Sequence, residues 1–126
     1  MQISEVSERF DLSTDTLRYY EKIGLIPPVP RGENGLRDYR EEDCRWVEFA
    51  RCMRSAGLPI EALRQYVALF RQGDGTIEAR LAILRDQREQ LAQRIAEQQA
   101  VLDRLDLKIA RYDDILLPRE QELAAQ

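Results

Sequence analysis

The stretch TLRYYEKIGLIPP, residues 16–28, decides the fold of this chain. Ser13, just upstream, is a favourable N-cap for a helix, and Asp15 then lies in the first turn, where the helix dipole favours negative charge. Gly24 is a typical C-terminal stop, because glycine adopts left-handed backbone angles without strain. The sequence therefore predicts a short helix that presents the Arg-Tyr-Tyr triplet of this stretch.

A second short helix is predicted just before this one. In QISEVSERF, the residues Ile3, Val6 and Phe10 recur at helical spacing. Two short helices joined by a tight turn predict a helix-turn-helix motif. The second helix of the motif would carry Thr14, Thr16, Arg18, Tyr19 and Tyr20.

A small β-wing is predicted after the proline-rich segment that ends the motif. The dipeptide Asn34-Gly35 is a strong hairpin signal, since both positions tolerate a positive φ. We therefore expect residues 30–39 to form two short strands, with Arg31 and Arg37 flanking the turn.

An amphipathic helix pair follows the wing. Residues 40–57 place four apolar side chains on one face of a helix, namely Trp46, Phe49, Ala50 and Met53. Leu58-Pro59 begins the next helix, whose inward residues are predicted to be Ile60, Leu63, Val67 and Phe70. The sequence QGDG, residues 72–75, ends that helix.

The remaining chain shows a heptad repeat. Two series of positions, each seven residues apart, begin at Ile77 and Leu81, and ten of their twelve members are apolar. The two exceptions are Gln98 and Arg88. The second series ends at Leu116. Such a repeat is typical of a coiled coil, so residues 76–117 are predicted to form a long dimerisation helix that pairs with a second copy of the chain.

Composition argues against several classes of protein. The 126 residues suffice for one small domain with an extension, and no apolar run approaches the ~20 residues that span a bilayer. No signal-peptide pattern is present, so we expect a cytoplasmic protein. Histidine is absent, and Cys44 and Cys52 are the only cysteines. We therefore expect no metal or other cofactor, no structural disulfide and no enzyme activity.

The charge distribution favours the N-terminal half as the binding surface. The net charge of the chain is −4, yet residues 18–40 hold five basic and three acidic side chains. Residues 74–126, in contrast, hold eight basic and eleven acidic side chains. A local basic excess beside tyrosines is compatible with nucleic acid binding.

The segment ISEVSERFDLSTDTLRYYEKIGLIPP, followed by GLRDYREED, resembles the signature of the MerR family of bacterial transcriptional regulators. The resemblance extends over nearly the whole chain. It implies a mainly α, dimeric protein with a winged helix-turn-helix domain over residues 1–73, a dimerisation helix over residues 76–117 that forms an antiparallel coiled coil, and a short tail over residues 118–126. Such proteins bend and untwist a promoter whose elements are too far apart, so that RNA polymerase can use it. The implied partners are promoter DNA, a second copy of the chain and RNA polymerase, with no membrane.

The resemblance and the predicted elements together indicate the DNA contacts. Arg18 can pair with guanine or a phosphate, and Ser13 places backbone N–H groups near a phosphate. Arg54 matches a phosphate-contacting position of the family. The candidate contacts are Ser13, Thr14, Thr16, Arg18, Tyr19, Tyr20, Asn34, Gly35, Arg37, Tyr39 and Arg54.

Some of these candidates have a structural alternative. Adjacent helix residues point about 100° apart, so one of Tyr19 and Tyr20 is expected to pack partly into the core. We favour Tyr20 over Tyr19 as the DNA contact. Helix packing is an equal alternative for Thr14 and Thr16.

Cys52 is the candidate sensing residue. It lies between Arg51 and Arg54, and nearby guanidinium groups stabilise a nucleophilic thiolate. The thiolate would attack an aldehyde, a quinone or a nitrosating agent. This cysteine and the short C-terminus resemble the electrophile-responsive AdhR/NmlR-like subgroup of the family. The alternative is a small buried hydrophobic residue. Cys44, beside the acidic Glu42 and Asp43, is a poor site for a thiolate and is interpreted as incidental.

Other sensing devices and other functions remain as alternatives. No cysteine follows Cys52, which removes the metal-thiolate site of the metal-sensing members, and only about ten residues follow Leu116, too few for a drug-binding domain. A regulator that senses a small ligand or a partner protein, with Cys52 silent, is the main alternative. A coiled-coil adaptor that binds another protein is a second, and salt-dependent binding to promoter DNA separates it from a regulator.

Overall fold

The computed structural model describes residues 1–112 and 117–125. The fold is mainly helical, as predicted. Its helices are α1 (Ile3–Phe10), α2 (Thr14–Ile23), α3 (Glu41–Ser55), α4 (Ile60–Gln72), α5 (Ile77–Ala110) and α6 (Leu117–Ala125). A short 3-10 turn, Asp74–Thr76, lies between α4 and α5. Among the described residues, no helix combines the length and the apolar content needed to cross a membrane.

The chain divides into two compact units, Met1–Arg88 and Glu89–Gln126. The domain boundaries expected from the sequence, at residues 73–76 and 117–118, remain a prediction. The sequence predicts only a short tail over residues 118–126, and the structure has helix α6 over Leu117–Ala125. Pro118 lies in the first turn of α6, where its missing N–H leaves no helical hydrogen bond unmade. The heptad position Leu116 and the last residue of the predicted tail, Gln126, lie outside the described residues.

The helix-turn-helix motif forms as predicted. Ser13 caps α2, and its Oγ accepts a hydrogen bond from the backbone N–H of Thr16 at 3.0 Å. Gly24 ends α2 with a φ of 83°, in the left-handed region. The core of this first unit is formed by apolar side chains from α1 to α4 and the wing, including Val6, Leu17, Leu25, Ile26, Val47 and Leu63. This core holds α2 with its opposite face in solvent.

The wing has less β-structure than the sequence predicts. Instead of two strands, a single antiparallel bridge joins Arg31 to Arg37. The backbone N–H of Asp38 also donates to the carbonyl of Pro30 at 2.8 Å. Proline has no N–H to donate, so Pro30 cannot extend the ladder as a full strand would.

The turn at the tip of the wing also differs from the predicted one. Of the two residues expected to adopt a positive φ, only Gly35 does, at 78°. The N–H of Gly35 donates to Gly32 O at 3.0 Å, and the N–H of Gly32 donates to Leu36 O at 2.8 Å. This is a three-residue loop whose last residue is left-handed, the longer alternative to an Asn34-Gly35 two-residue turn.

The helix pair after the wing carries an open aromatic cluster. Val47 and Ala50 of α3 are buried, while Trp46 packs against the core only in part. Phe70 of α4, predicted to face inward, is exposed and packs against Trp46, with 4.8 Å between the ring centroids and 60° between the ring planes. The inward positions of α4 are Leu63 and Val67, so Phe70 lies at the edge of the helix interface.

Candidate nucleic-acid interface

Arg18 lies on the solvent face of α2. Its Nη1 donates to Asp15 Oδ1 at 3.0 Å and to Thr14 Oγ1 at 3.4 Å, both one turn earlier on the same helix. Half of the Arg18 side chain and nearly all of Asp15 are accessible to solvent. An ion pair this exposed is weak, so a DNA phosphate or a guanine edge can displace Asp15 from Arg18.

The two adjacent tyrosines have opposite environments. Tyr20 belongs to the core with 8% of its surface exposed, whereas Tyr19 is 49% exposed. One tyrosine in the core was predicted, and the burial of Tyr20 does not support our preference for it as the DNA contact. Leu17 and Tyr20 form the buried face of α2, and Tyr19 points away from it. Tyr19 is therefore the tyrosine whose ring and hydroxyl are available to a ligand.

An open cleft separates α2 from α3 and brings several candidate contacts together. Thr16 and Tyr19 line it on the α2 side, and Arg51, Arg54 and Ser55 line it on the α3 side. Apolar and acidic residues complete the lining, namely Asp11, Leu12, Tyr20, Leu25 and Ile60. Two guanidinium groups beside the hydroxyl groups of Thr16, Tyr19 and Ser55 form a surface that suits a phosphate.

The two arginines of the cleft are held in place by local bonds. Arg54 Nη1 donates to the carbonyl of Leu58 at 2.6 Å, which fixes the loop after α3. Arg51 Nη2 lies 2.8 Å from Glu48 Oε1 in an ion pair one turn apart on α3. We predicted Arg54 as a contact and missed Arg51. Its spacing of three residues from Arg54, which places both on one helix face, could have indicated it.

The start of α2 contributes hydroxyl groups as well. Ser13 Oγ lies 2.8 Å from Thr16 Oγ1, in addition to the capping bond that it accepts. Thr14 is the third hydroxyl residue in this turn and lies near Arg18. The N-terminus of α2 is the positive end of the helix dipole, and these local bonds leave its solvent side accessible to an anion.

The tip of the wing is open to solvent. Asn34 and Gly35 are exposed, and Asn34 Oδ1 accepts from the N–H of Leu36 at 3.1 Å, which shapes the loop. Arg31 Nη1 donates to the carbonyl of Gly35 at 3.2 Å across the same loop. The tip lies outside the α2–α3 cleft and is a separate part of the candidate surface.

Two predicted wing contacts have other roles in the structure. Tyr39 is 2% exposed, and burial raises the pKa of its hydroxyl, so the prediction that it contacts DNA is wrong. Its backbone instead pairs with Met1, and the Tyr39 N–H donates to Met1 O at 2.8 Å. Arg37 is largely buried and lies 2.5 Å from Glu21, from its Nε to the Oε1 of the carboxylate. Glu21 had no predicted role.

The two cysteines differ as sharply as the tyrosines. Cys52 is exposed and Cys44 is buried. Burial raises the pKa of the Cys44 thiol, although Arg9 opposes this effect. The alternative that Cys52 is a buried core residue is therefore wrong. Its neighbours Arg51 and Arg54 make their hydrogen bonds with Glu48 and Leu58.

Potential metal ligands do not cluster in the part of the chain that the structure describes. Across residues 1–112 and 117–125, no three His, Cys, Asp or Glu side chains come together as a potential ion site.

Two family models match the chain. The model described as MerR HTH family regulatory protein covers residues 1–69, and the model described as MerR, DNA binding covers residues 44–107. The chain belongs to the MerR family. It is a DNA-binding transcription regulator and not an enzyme, and regulators of this family bind promoter DNA as dimers and act with RNA polymerase.

Individual MerR proteins resemble the chain over different lengths. It is 57% identical over 91 residues to the HTH-type transcriptional regulator AdhR of Bacillus subtilis, a match that spans 72% of this chain and 65% of AdhR. A crystal structure of a Listeria monocytogenes protein assigned to the MerR family superposes with a TM-score of 0.90 at 53% identity, covering 99% of this chain and 95% of that one. HiNmlR, a MerR family regulator lacking the sensor domain and bound to promoter DNA, superposes with a TM-score of 0.80 at 32% identity, covering 89% of each chain.

Proposed function

We propose that the chain is a dimeric regulator that binds and distorts a promoter operator, and that reactive electrophiles switch it through Cys52. The cleft between α2 and α3 carries the DNA-binding part of the proposal, because it joins Tyr19 and Thr16 to Arg51 and Arg54. With α2 in the major groove, the cleft meets the phosphates at the edge of the groove.

The proposed contacts divide between base edges and backbone. Arg18, on the exposed face of α2, is the residue best placed to pair with a guanine. The backbone contacts proposed are Ser13, Thr14, Thr16, Tyr19, Arg51 and Arg54, with Asn34, Gly35 and Arg37 in the wing. Most of these contacts position the protein, and few of them specify a sequence.

A second copy of the chain covers the apolar stripe of α5. In the second unit, side chains of both heptad series are exposed, including Ile95, Leu102, Leu105 and Ile109. Apolar side chains repeating along a helix in this way need a partner helix, and an antiparallel coiled coil supplies one. The dimer then presents two helix-turn-helix motifs to the half-sites of an operator and acts with RNA polymerase in the cytoplasm.

The proposed sensing chemistry is addition of the Cys52 thiolate to an aldehyde. The sulfur forms a bond to the carbonyl carbon, the carbonyl π pair moves to oxygen, and that oxygen takes a proton from water to give a hemithioacetal. The exposure of Cys52 supports this step, and so does the similarity to AdhR. Cys52 is next to Arg51 in α3, so an added group changes the surroundings of the cleft.

Transcription in vitro tests the sensing proposal. Purified RNA polymerase, a template carrying the promoter that the chain binds, and methylglyoxal are combined with wild type, Cys52→Ala or Cys44→Ala. We expect methylglyoxal to change transcript yield with wild type and with the Cys44→Ala control, and to have no effect with Cys52→Ala. A full response in Cys52→Ala would contradict the proposal.

The main alternative is a regulator in which Cys52 is silent. The engagement of Arg51 by Glu48 and of Arg54 by Leu58 favours it, because both guanidinium groups have partners other than the thiol. In that case a small ligand or a partner protein would switch the dimer. The same experiment would support this alternative if wild type and Cys52→Ala gave the same transcript yield with methylglyoxal.

A further inference from the structure

One carboxylate connects α2 to both ends of the wing. Glu21 lies in the last turns of α2, and its Oε1 accepts from Arg37 Nε at 2.5 Å. Its Oε2 accepts from the backbone N–H of Val29 at 3.2 Å. Val29 precedes the wing loop and Arg37 closes it through the bridge with Arg31. A single side chain therefore binds the segment that enters the wing and the segment that leaves it.

The burial of this ion pair makes its geometry well defined. Only 17% of the Glu21 side chain and 20% of the Arg37 side chain are exposed. In Arg18–Asp15, by comparison, both side chains are far more exposed, and in Arg40–Asp43 the aspartate is buried but the arginine is half exposed. Exposed pairs exchange freely with water, whereas a shielded charged hydrogen bond holds its partners in one arrangement.

Glu21 also lies three residues after Arg18, on the helix that carries the candidate DNA surface. The wing tip, with Asn34 and Gly35, is the exposed end of the loop that Glu21 holds. The distance between the α2 surface and the wing tip is thus set in part by the Glu21 carboxylate. A guanidinium has five N–H donors, and the Nε bond to Glu21 leaves the two terminal NH2 groups of Arg37 for a phosphate.

We propose that Glu21 is a positioning residue that holds Arg37 and the wing at the distance from α2 at which the wing contacts the DNA flanking the operator. Glu21 itself does not touch DNA. It acts through Arg37 and the wing backbone, and its contribution appears only when the DNA is long enough to reach the wing. This inference rests on the proposed wing contact.

The test varies the DNA length and the side chain together. In Glu21→Gln, the amide oxygen can still accept from the Val29 N–H, but the amide NH2 cannot accept from Arg37. Binding is measured by fluorescence anisotropy with the full-length dimer, using the upstream duplex that it protects and duplexes shortened symmetrically from both ends. Glu97→Gln, an exposed substitution on α5, removes the same charge in the second unit and is the control.

We expect wild type and Glu97→Gln to lose affinity when the flanks are removed. Glu21→Gln should bind the long duplex roughly tenfold more weakly than wild type, the loss typical of one charged hydrogen bond, and the short duplex within about twofold. Removing a negative charge would by itself strengthen DNA binding at both lengths, so this pattern is not a charge effect. Arg37→Lys, which keeps the charge but lacks Nε, should show the same dependence on length if Glu21→Gln does not fold.

Two results would overturn the inference. Equal losses on the long and the short duplex would show that Glu21 supports the fold in general and does not position the wing. If wild type bound the shortened duplex as tightly as the long one, the wing would make no contact with the flanking DNA, and this inference would fail with that contact. Binding of the short duplex that still depends on Arg18 would then leave the proposed role of α2 intact.

Discussion

Tyr19 and Tyr20 are consecutive residues of α2, yet 49% of Tyr19 and only 8% of Tyr20 is exposed. Their side chains lie about a quarter turn apart on the helix, and that rotation separates a core residue from a surface residue. The surface of α2 proposed to meet DNA therefore includes Tyr19 and Arg18, with Tyr20 behind them in the core.

Substituting the two tyrosines should give opposite results. Tyr20→Ala should lower the free energy of unfolding by about 3 kcal/mol or more, because it leaves a cavity where an aromatic ring was packed. Tyr19→Ala should leave thermal stability nearly unchanged and weaken binding to promoter DNA several-fold. Thermal melts at one fixed protomer concentration and anisotropy titrations make the comparison. A stable Tyr20→Ala dimer, or a Tyr19→Ala variant that binds DNA like wild type, would contradict this account.

The ion pair between α1 and α3 predicts a pH dependence. Arg9 donates to both carboxylate oxygens of Glu41, at 3.0 and 3.3 Å, and the hydrogen bond and charge of Arg9 hold the pKa of Glu41 below its usual value. A carboxyl whose pKa is lower in the folded state contributes stability above its unfolded pKa, and loses it as the pH falls through the folded one.

At neutral pH, Glu41→Gln should therefore have a lower Tm than wild type. This difference should disappear as the pH falls below 4.5, the ordinary pKa of this carboxyl. The difference should be small and should shrink with added salt, because both side chains are largely exposed. Melting curves of both proteins across this pH range provide the measurement. A gap that persists in acid would exclude the Arg9–Glu41 bond as its source.

The two thiols should differ in accessibility to reagents. Cys52 is exposed and Cys44 is 1% exposed, so a brief treatment of the native protein with iodoacetamide should modify Cys52 and spare Cys44. Burial raises the pKa of the Cys44 thiol and reduces its thiolate fraction further. Mass spectrometry of the digested protein identifies the modified site. Equal labelling of both residues before unfolding would show that Cys44 is accessible.

The dimer should depend on the heptad face of α5. Leu102 belongs to one heptad series, while Leu107 lies outside both, and each is about half exposed. Leu102→Asp places a charge in the proposed seam and should shift the protein from dimer to monomer, whereas Leu107→Asp should leave the dimer intact. Light scattering after gel filtration measures the mass. A dimeric Leu102→Asp, or a monomeric Leu107→Asp, would place the interface elsewhere.

Local sequence signals were sufficient for α1 to α5, whereas α6 lies in the segment predicted as a tail. The cap at Ser13 and the stop at Gly24 depend on the residue itself and its immediate neighbours, and both ends of α2 agree with the structure. The 3.5-residue repeat also predicted a long helix, but over residues 76–117, whereas α5 spans Ile77–Ala110. Signals of this kind act within one or two helical turns and can be recognised without knowledge of the tertiary fold.

The environment of individual polar side chains was not predictable in the same way. The Glu21–Arg37 bond joins residues sixteen positions apart, and no local period relates them. Tyr39 resembled a wing contact by position and is buried by the tertiary packing of the wing on the core. A tyrosine suits both a core and a DNA backbone, so its residue type could not decide between them.

The most direct test of the central claim is DNA binding by wild type and Arg18→Ala at two salt concentrations, with duplexes from the region upstream of the gene. Arg104→Ala, which removes the same charge from α5, is the matched control. We predict tight, salt-sensitive binding by wild type and the control, with Arg18→Ala roughly tenfold weaker and its salt slope smaller by about one. Arg18→Ala binding like wild type at both salt concentrations would contradict the claim that this face of α2 contacts DNA.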